Sequence, residues 1–248
     1  AWRVSKGAHC LDQPHGKFSL ENQQLVLKIQ ENCPSRTLIS EAMILFGNIV
    51  ANYAFNYSIP IPYRSQPRSN SFESPSKEWT KPAITNSSIK QQLPKAITSL
   101  NPKPHWGLGL DLYTQATSPI RRYTDLLVHR QILGHIDNLG YLTDLELSPI
   151  LDTQVITDRN NMQAMREDIK IQQNRFFTEN KSQHWVAFLL RLLNKKADFY
   201  LLYFTELEMD IGVYLINPPQ LGFGQMISIV FESVSDKGDI PTFNVLNN

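Results

Sequence analysis

Tyr113-Thr114-Gln115-Ala116-Thr117-Ser118-Pro119-Ile120-Arg121-Arg122-Tyr123-Thr124-Asp125-Leu126-Leu127-Val128-His129-Arg130 is the stretch that decides how this chain is read. Ser118 suits a helix N-cap and Pro119 the first helical position, where a missing N–H costs nothing. A helix is expected from there to about Leu139, burying Leu126, Leu127, Ile132, Leu133 and Ile136. A helix N-terminus offers unpaired N–H groups and partial positive charge, so anions bind there. Arg121 stands three residues past the cap, within reach of the same anion. Thr117 and Ser118 add hydroxyls, and Arg122 and Tyr123 extend the polar rim. Arg121, Asp125 and His129 recur at i, i+4 and i+8, so Asp125 is expected to pair with Arg121. These features make a phosphate site. On residue chemistry alone, a capped helix with a surface ion pair is the commoner explanation, because Ser-Pro helix starts are frequent.

Upstream, residues 64–104 read as a long loop rich in Pro, Ser and Asn. Arg64, Arg68, Lys77, Lys81, Lys90, Lys95 and Lys103 face only Glu73 and Glu78 there, a local excess that suits a polyanion or a solvated linker. Before it, a helix over 35–56 with Ser35 as N-cap carries two apolar rows. One runs through Leu38, Ala42, Leu45, Ile49 and Tyr53, the other through Ile39, Met43, Phe46, Val50 and Ala54. So wide a stripe predicts a mostly buried helix. Its narrow polar face, Glu41, Asn48 and Asn52, reads first as the wet side of a core helix. Residues 1–30 read as short strands and turns. Ala1-Trp2 opens the chain with no initiator Met, as the interior of a longer protein would.

Downstream, a helix is expected from about Pro149 to Lys181. Five β-like runs follow: Val186 to Leu193, Phe199 to Phe204, Ile211 to Leu215, Met226 to Val234 and Thr242 to Leu246. That spacing suits a small closed barrel of the OB type. Its Phe199, Tyr200, Tyr203 and Phe204 could stack bases, although barrel core is the favoured reading. Glu206, Glu208 and Asp210 alternate, which on a strand would set three carboxylates on one solvated face.

Composition narrows the classes. The chain has 248 residues, 42% of them hydrophobic and 19% charged, enough to build a core and too much for a disordered chain. A formal net charge of +1 leaves no bulk basic field, so nucleic-acid binding must be local. Cys10 and Cys33 form no CxxC pair, which argues against a disulfide framework or zinc site and fits a reducing compartment. The apolar runs Ala42 to Phe46 and Trp185 to Leu190 are too short to span a membrane. The sequence holds no P-loop, Gly-x-Ser-x-Gly, H-x-x-x-H or dense Asp cluster, so no complete hydrolytic site is visible.

The 113–130 string closely resembles the signature of the ribonuclease II/R family of exoribonucleases. Ser35-Arg36-Thr37-Leu38, Glu41-Ala42-Met43-Ile44-Leu45 and Asn48 resemble the family's first core helix, and Ile59-Pro60 with Tyr63-Arg64-Ser65-Gln66 the segment after it. The short 64–104 region, with His105 and Gly107-Leu108-Gly109-Leu110, looks most like the cyanobacterial and plastid branch. The resemblance implies an α+β fold: residues 1–180 as the helix-rich C-terminal part of an RNB catalytic domain, and 181–248 as a five-stranded OB-type RNA-binding barrel.

In function, the resemblance implies a hydrolytic, processive 3′→5′ exoribonuclease that releases nucleoside 5′-monophosphates from single-stranded RNA with two divalent metals, Mg²⁺ being the expected cofactor. Arg121 matches the family's catalytic arginine, which stabilises charge developing on the scissile phosphate. Glu41 matches an acidic residue that helps read the terminal ribose. Glu167 falls near an acidic position beside the last base. Thr117, Ser118 and Arg122 complete the expected RNA contacts.

The departures matter as much. The family's metal-binding aspartates lie N-terminal to everything here, so no metal ligands are expected in this chain. The expected partner, besides RNA and with no membrane, is the missing N-terminal part of the protein or another chain carrying the aspartates. The barrel has seven acidic residues (Asp198, Glu206, Glu208, Asp210, Glu232, Asp236 and Asp239) against Lys181, Arg191, Lys195, Lys196 and Lys237, poor for gripping a polyanion. The alternative reading is therefore a non-catalytic RNA-binding or regulatory homologue. The expected location is the cytoplasm, or alternatively a plastid or other organelle.

Overall fold

The computed structural model describes residues 2–9, 11, 13–69, 72–73, 81–218, 220, 222–235 and 239–246. Lys77 and Glu78 of the basic loop, and Cys10, lie outside them. The chain divides into two compact units. One gathers Ala1–Leu11, Cys33–Glu73 and Gln91–Asn161, the other Asp12–Asn32, Ser74–Lys90 and Met162–Asn248.

The first unit opens with a short helix α1 (Trp2–Ser5) where strands were expected. The hairpin β1 (His15–Glu21) and β2 (Gln24–Gln30) follows in the second unit, turning at Asn22 and Gln23, both with positive φ. Helix α2 (Pro34–Asn56) starts one residue before the expected Ser35 cap, with Cys33 extended at its N-cap. Its burial differs from expectation. The buried face is the small row Gly47, Ala51 and Ala54, while Leu38, Ile39, Leu45, Phe46 and Ile49 are exposed. The small row lets backbone approach: a Cβ at Gly47 would stand 2.3 Å from the Thr114 carbonyl oxygen. Periodicity marks which residues can be buried, but burial needs an opposing surface, and among the described residues it is the small row, with half-buried Val50 and Tyr53 beside it, that meets one. By length and composition α2 is also apolar enough to cross a membrane, contrary to the reading of its short runs.

The described residues of 64–104 hold more regular structure than the expected loop. They hold β3 (Tyr63–Ser65), helix α3 (Pro82–Gln92) and β4 (Ile97–Ser99), with β3 and β4 antiparallel. The α3 sequence is only weakly periodic. Tertiary packing orders it, since Ala83 and Ile84 bury against Leu190 and Tyr203 of the second unit.

Helix α4 (Tyr123–Ile136) begins five residues later than Ser118. Ser118 to Arg121 form a turn instead, in which the Ser118 carbonyl accepts the N–H groups of Arg121 (3.2 Å) and Arg122 (3.0 Å). Of the residues expected to be buried, Leu127 is buried, whereas Leu126, Leu133 and Ile136 are exposed. Buried Gln131 fastens α4 with three hydrogen bonds, donating to the Pro60 and Leu142 carbonyls and accepting the Leu142 N–H.

Helix α5 (Asp144–Glu179) starts well before Pro149, which lies inside it. Thr143 and Glu146 form a capping box: the Glu146 carboxylate accepts the Thr143 N–H at 2.8 Å, and the Thr143 hydroxyl accepts the Glu146 N–H at 3.4 Å. That cap outweighs the backbone hydrogen bond that a proline removes two turns in.

The strands β5 (His184–Asn194), β6 (Phe199–Phe204), β7 (Met209–Ile216), β8 (Met226–Val234) and β9 (Pro241–Val245) close into a barrel in the order β5-β6-β7-β9-β8. Only β7 and β9 pair in parallel. Phe177 of α5 is fully buried in the barrel core, its ring 4.9 Å from Phe243 and 5.5 Å from Trp185. Tyr200, Tyr203 and Phe204 are core residues, as expected. The proposed acidic face does not exist. Glu206 and Glu208 lie in the β6–β7 turn, where Glu208 has positive φ and accepts the Tyr203 hydroxyl. A tight turn breaks the period of two.

Candidate active site

The segment 113–122 is fastened at several points. The Arg64 N–H donates to the Tyr113 carbonyl at 2.8 Å, the buried Thr114 hydroxyl donates to the Pro62 carbonyl, and the His129 Nε2 meets the Ala116 carbonyl at 2.6 Å. These contacts hold the backbone that leads into the Ser118–Arg122 turn.

Asp125 organises the turn itself. Its side chain is fully buried, and one oxygen, Oδ2, accepts both the Ser118 N–H (2.9 Å) and an Arg122 guanidinium nitrogen (2.6 Å). Arg122 also donates to the Thr117 hydroxyl at 3.3 Å. The expected Arg121–Asp125 pair is therefore replaced by an Arg122–Asp125 pair. An i, i+4 pair needs both residues on one helix, and Arg121 lies before α4 begins. Arg121 is exposed beside the fully exposed Ile120, and its guanidinium has no hydrogen bond or ion pair among the described residues. Thr117, Ser118 and Arg122, expected to bind RNA, come together as the scaffold of this turn. The helix N-terminus expected at Ser118 does not form there, and the Ser118 N–H donates to Asp125 instead.

Glu41 lies on α2, held by Arg3 of α1, a residue that no motif singled out. Arg3 donates to both carboxylate oxygens, at 2.8 Å from Nε, and its third nitrogen reaches the Leu108 carbonyl at 3.0 Å. The Arg3 hydrogen bonds hold the Glu41 carboxyl below the usual carboxylate range. The pair borders a cleft of about 430 Å³ with Trp2, Leu45, Asn48 and Leu110 on its walls. A carboxylate bound on two sides retains lone pairs that can accept a hydroxyl donor. Glu167 stands in the second unit, exposed on α5, accepting from Gln163 at 3.0 Å.

Among the described residues, no three His, Cys, Asp or Glu side chains come together to hold a metal ion. The donor set among these residues does not fit the divalent cations that the family resemblance implies.

Comparison with known proteins accords with these observations. The RNB domain family matches residues 1–138. The chain belongs to the RNB family. A Synechocystis protein named uncharacterized ribonuclease sll1290 is 29% identical over 217 residues, covering 85% of this chain and 32% of that protein. Ribonuclease II, chloroplastic/mitochondrial, of Arabidopsis thaliana is 31% identical over 214 residues, covering 83% of this chain and 26% of its own length. Both fit the cyanobacterial and plastid likeness of the motifs. The fold matches Mycoplasma genitalium RNase R in complex with ribose-methylated single-stranded RNA, with a TM-score of 0.82 at 17% identity over 99% of this chain and 47% of that one. This RNB chain thus spans about a third or less of these curated relatives and about half of that solved structure.

Proposed function

We propose that this RNB chain supplies the arginine-bearing, C-terminal part of a hydrolytic 3′→5′ exoribonuclease that acts processively on single-stranded RNA and releases nucleoside 5′-monophosphates. Residues 1–180 serve as the end of the catalytic domain and 181–248 as its RNA-binding barrel. The observation that carries the reading is the turn at Ser118–Arg122, where Arg122 is paired with Asp125 and the exposed Arg121 guanidinium has no partner among the described residues. A guanidinium donates two parallel hydrogen bonds to phosphate oxygens, and it stabilises the charge that develops on them as the ester bond breaks. Glu41, kept ionised by Arg3, accepts the terminal ribose hydroxyl. The organelle alternative for its location is favoured by the Arabidopsis relative's name.

The test is Arg121→Ala in the complete protein. Turnover of 5′-labelled RNA is expected to fall about 100-fold or more while RNA affinity changes little. Unchanged turnover removes Arg121 from the chemistry. A second reading, a non-catalytic RNA-binding homologue, draws on the missing donor set and on the same fold in yeast Ssd1, a pseudonuclease (TM-score 0.54, 17% identity, 71% of this chain). A complete protein that shifts RNA in a salt-sensitive manner but never shortens it, with Mg²⁺ or Mn²⁺, would favour that reading.

A further inference from the structure

We infer that Asp125 is a positioning residue for Arg121, a role that rests on the reading of Arg121 given above. Two neighbouring arginines at one turn are equivalent in sequence, and the structure separates them. Asp125 is buried without exposure, and a carboxylate so placed must be matched by donors. It takes two, the Ser118 N–H and the Arg122 guanidinium, both on Oδ2. These two contacts join the first and last residues of the turn to a single oxygen on the first turn of α4. The Thr117 hydroxyl, held by Arg122, extends the tie by one residue. Between the two anchored ends, Ile120 and Arg121 are exposed. The carboxylate therefore does two things at once: it withdraws Arg122 from the anion, and it fixes the backbone from which Arg121 projects.

Asn at this position has nearly the same shape but cannot do the same work. Its one carbonyl oxygen carries no charge for Arg122. Its NH₂ would replace Oδ1, an atom that is buried with no hydrogen-bond partner among the described residues, so a donor placed there finds no acceptor. Asp125→Asn should loosen the turn while leaving the side-chain volume in place. Small displacements of a charge-stabilising group cost turnover much more than they cost binding.

The experiment compares Asp125→Asn, Arg121→Ala and the double variant in the complete protein. It reads single-turnover rates on 5′-labelled single-stranded RNA, with RNA affinity and thermal midpoint measured alongside. Asp125→Asn is expected to slow cleavage about 10- to 100-fold with affinity within about threefold. In the Arg121→Ala background the same change is expected to cost less than about twofold, because the group it positions is gone. A wild-type rate for Asp125→Asn overturns the proposal. So does an equal loss in both backgrounds, which would mark a general structural role. If Arg121→Ala alone cleaves normally, the reading of Arg121 fails and carries the positioning role with it, an outcome visible in that single variant. Should Asp125→Asn not fold, Arg122→Gln releases the same turn from the more exposed side of the pair. It is expected to show the same loss of rate with retained affinity, and full activity there overturns the proposal.

Discussion

Arg3 and Glu41, 38 residues apart in the chain, form a two-point ion pair in which a single guanidinium engages both carboxylate oxygens and anchors the start of the chain to α2. The pair keeps Glu41 ionised and fixes its rotamer.

Arg3→Gln in the complete protein is expected to reduce the preference for a 3′-terminal ribose over a 3′-terminal deoxyribose several-fold, with smaller effect on overall turnover. It should also let Glu41 protonate at higher pH. The folded-state value is depressed by Arg3, so the pair's stabilisation is present above the ordinary carboxylate pKa and lost as pH falls through the folded value. The ratio of kcat/KM on the two oligonucleotides checks this. An unchanged ratio would detach Glu41 from ribose reading.

His105 is buried, and burial, with the nearby Arg64 charge adding to it, pushes its imidazole down to about 4. The neutral ring is favoured in the folded state, so its stabilisation is complete above the unfolded value near 6.5 and is lost as pH falls from there towards 4. Urea melts across that window should show a decline of up to about 3 kcal/mol that His105→Gln flattens. An equal slope in the variant would assign the acid sensitivity elsewhere.

Phe177 leaves α5 to fill the barrel, touching the rings of Trp185, Phe204, Phe231 and Phe243. Phe177→Ala is expected to destabilise the barrel by about 3–5 kcal/mol, readable in denaturant melts followed by tryptophan fluorescence, since Trp185 lies against the cavity. A loss under about 1 kcal/mol would mean the barrel closes without it.

The bulky face of α2 is exposed in this chain. By itself, the 248-residue chain is expected to bind the dye ANS and to self-associate. Leu38→Glu with Phe46→Lys should suppress both while preserving helix content by circular dichroism. Dye binding that persists undiminished would place the sticky surface elsewhere.

The five barrel strands were legible because each alternates or runs apolar between clear turn signals, and local pattern is enough to define a strand. The turn at Glu206 and Glu208 was not, because three alternating acids mimic a strand until Glu208 takes positive φ. Helix α5 was misplaced at its start because Pro149 is a strong local signal, whereas the Thr143–Glu146 box that actually caps it is a common sequence pattern. Helix α3 was invisible, since it forms around two residues, Ala83 and Ile84, that find their partners at Leu190 and Tyr203, far away in the chain.

The sequence by itself determined the family and the α+β architecture with its terminal barrel, and it singled out the arginine pair as the candidate phosphate site. These follow from residue order, which a motif or a periodicity records directly. Only the tertiary structure decided which arginine is free. Arg121 and Arg122 are both cations beside the same Asp125, and sequence spacing favoured the wrong pair by assuming that the helix began at Ser118. Because the backbone turns before α4 starts, the buried carboxylate meets Arg122 and the Ser118 N–H, and Arg121 is left facing outwards. Side-chain pairing is settled by distance in space, and one turn of backbone is enough to reverse what spacing along the chain suggests.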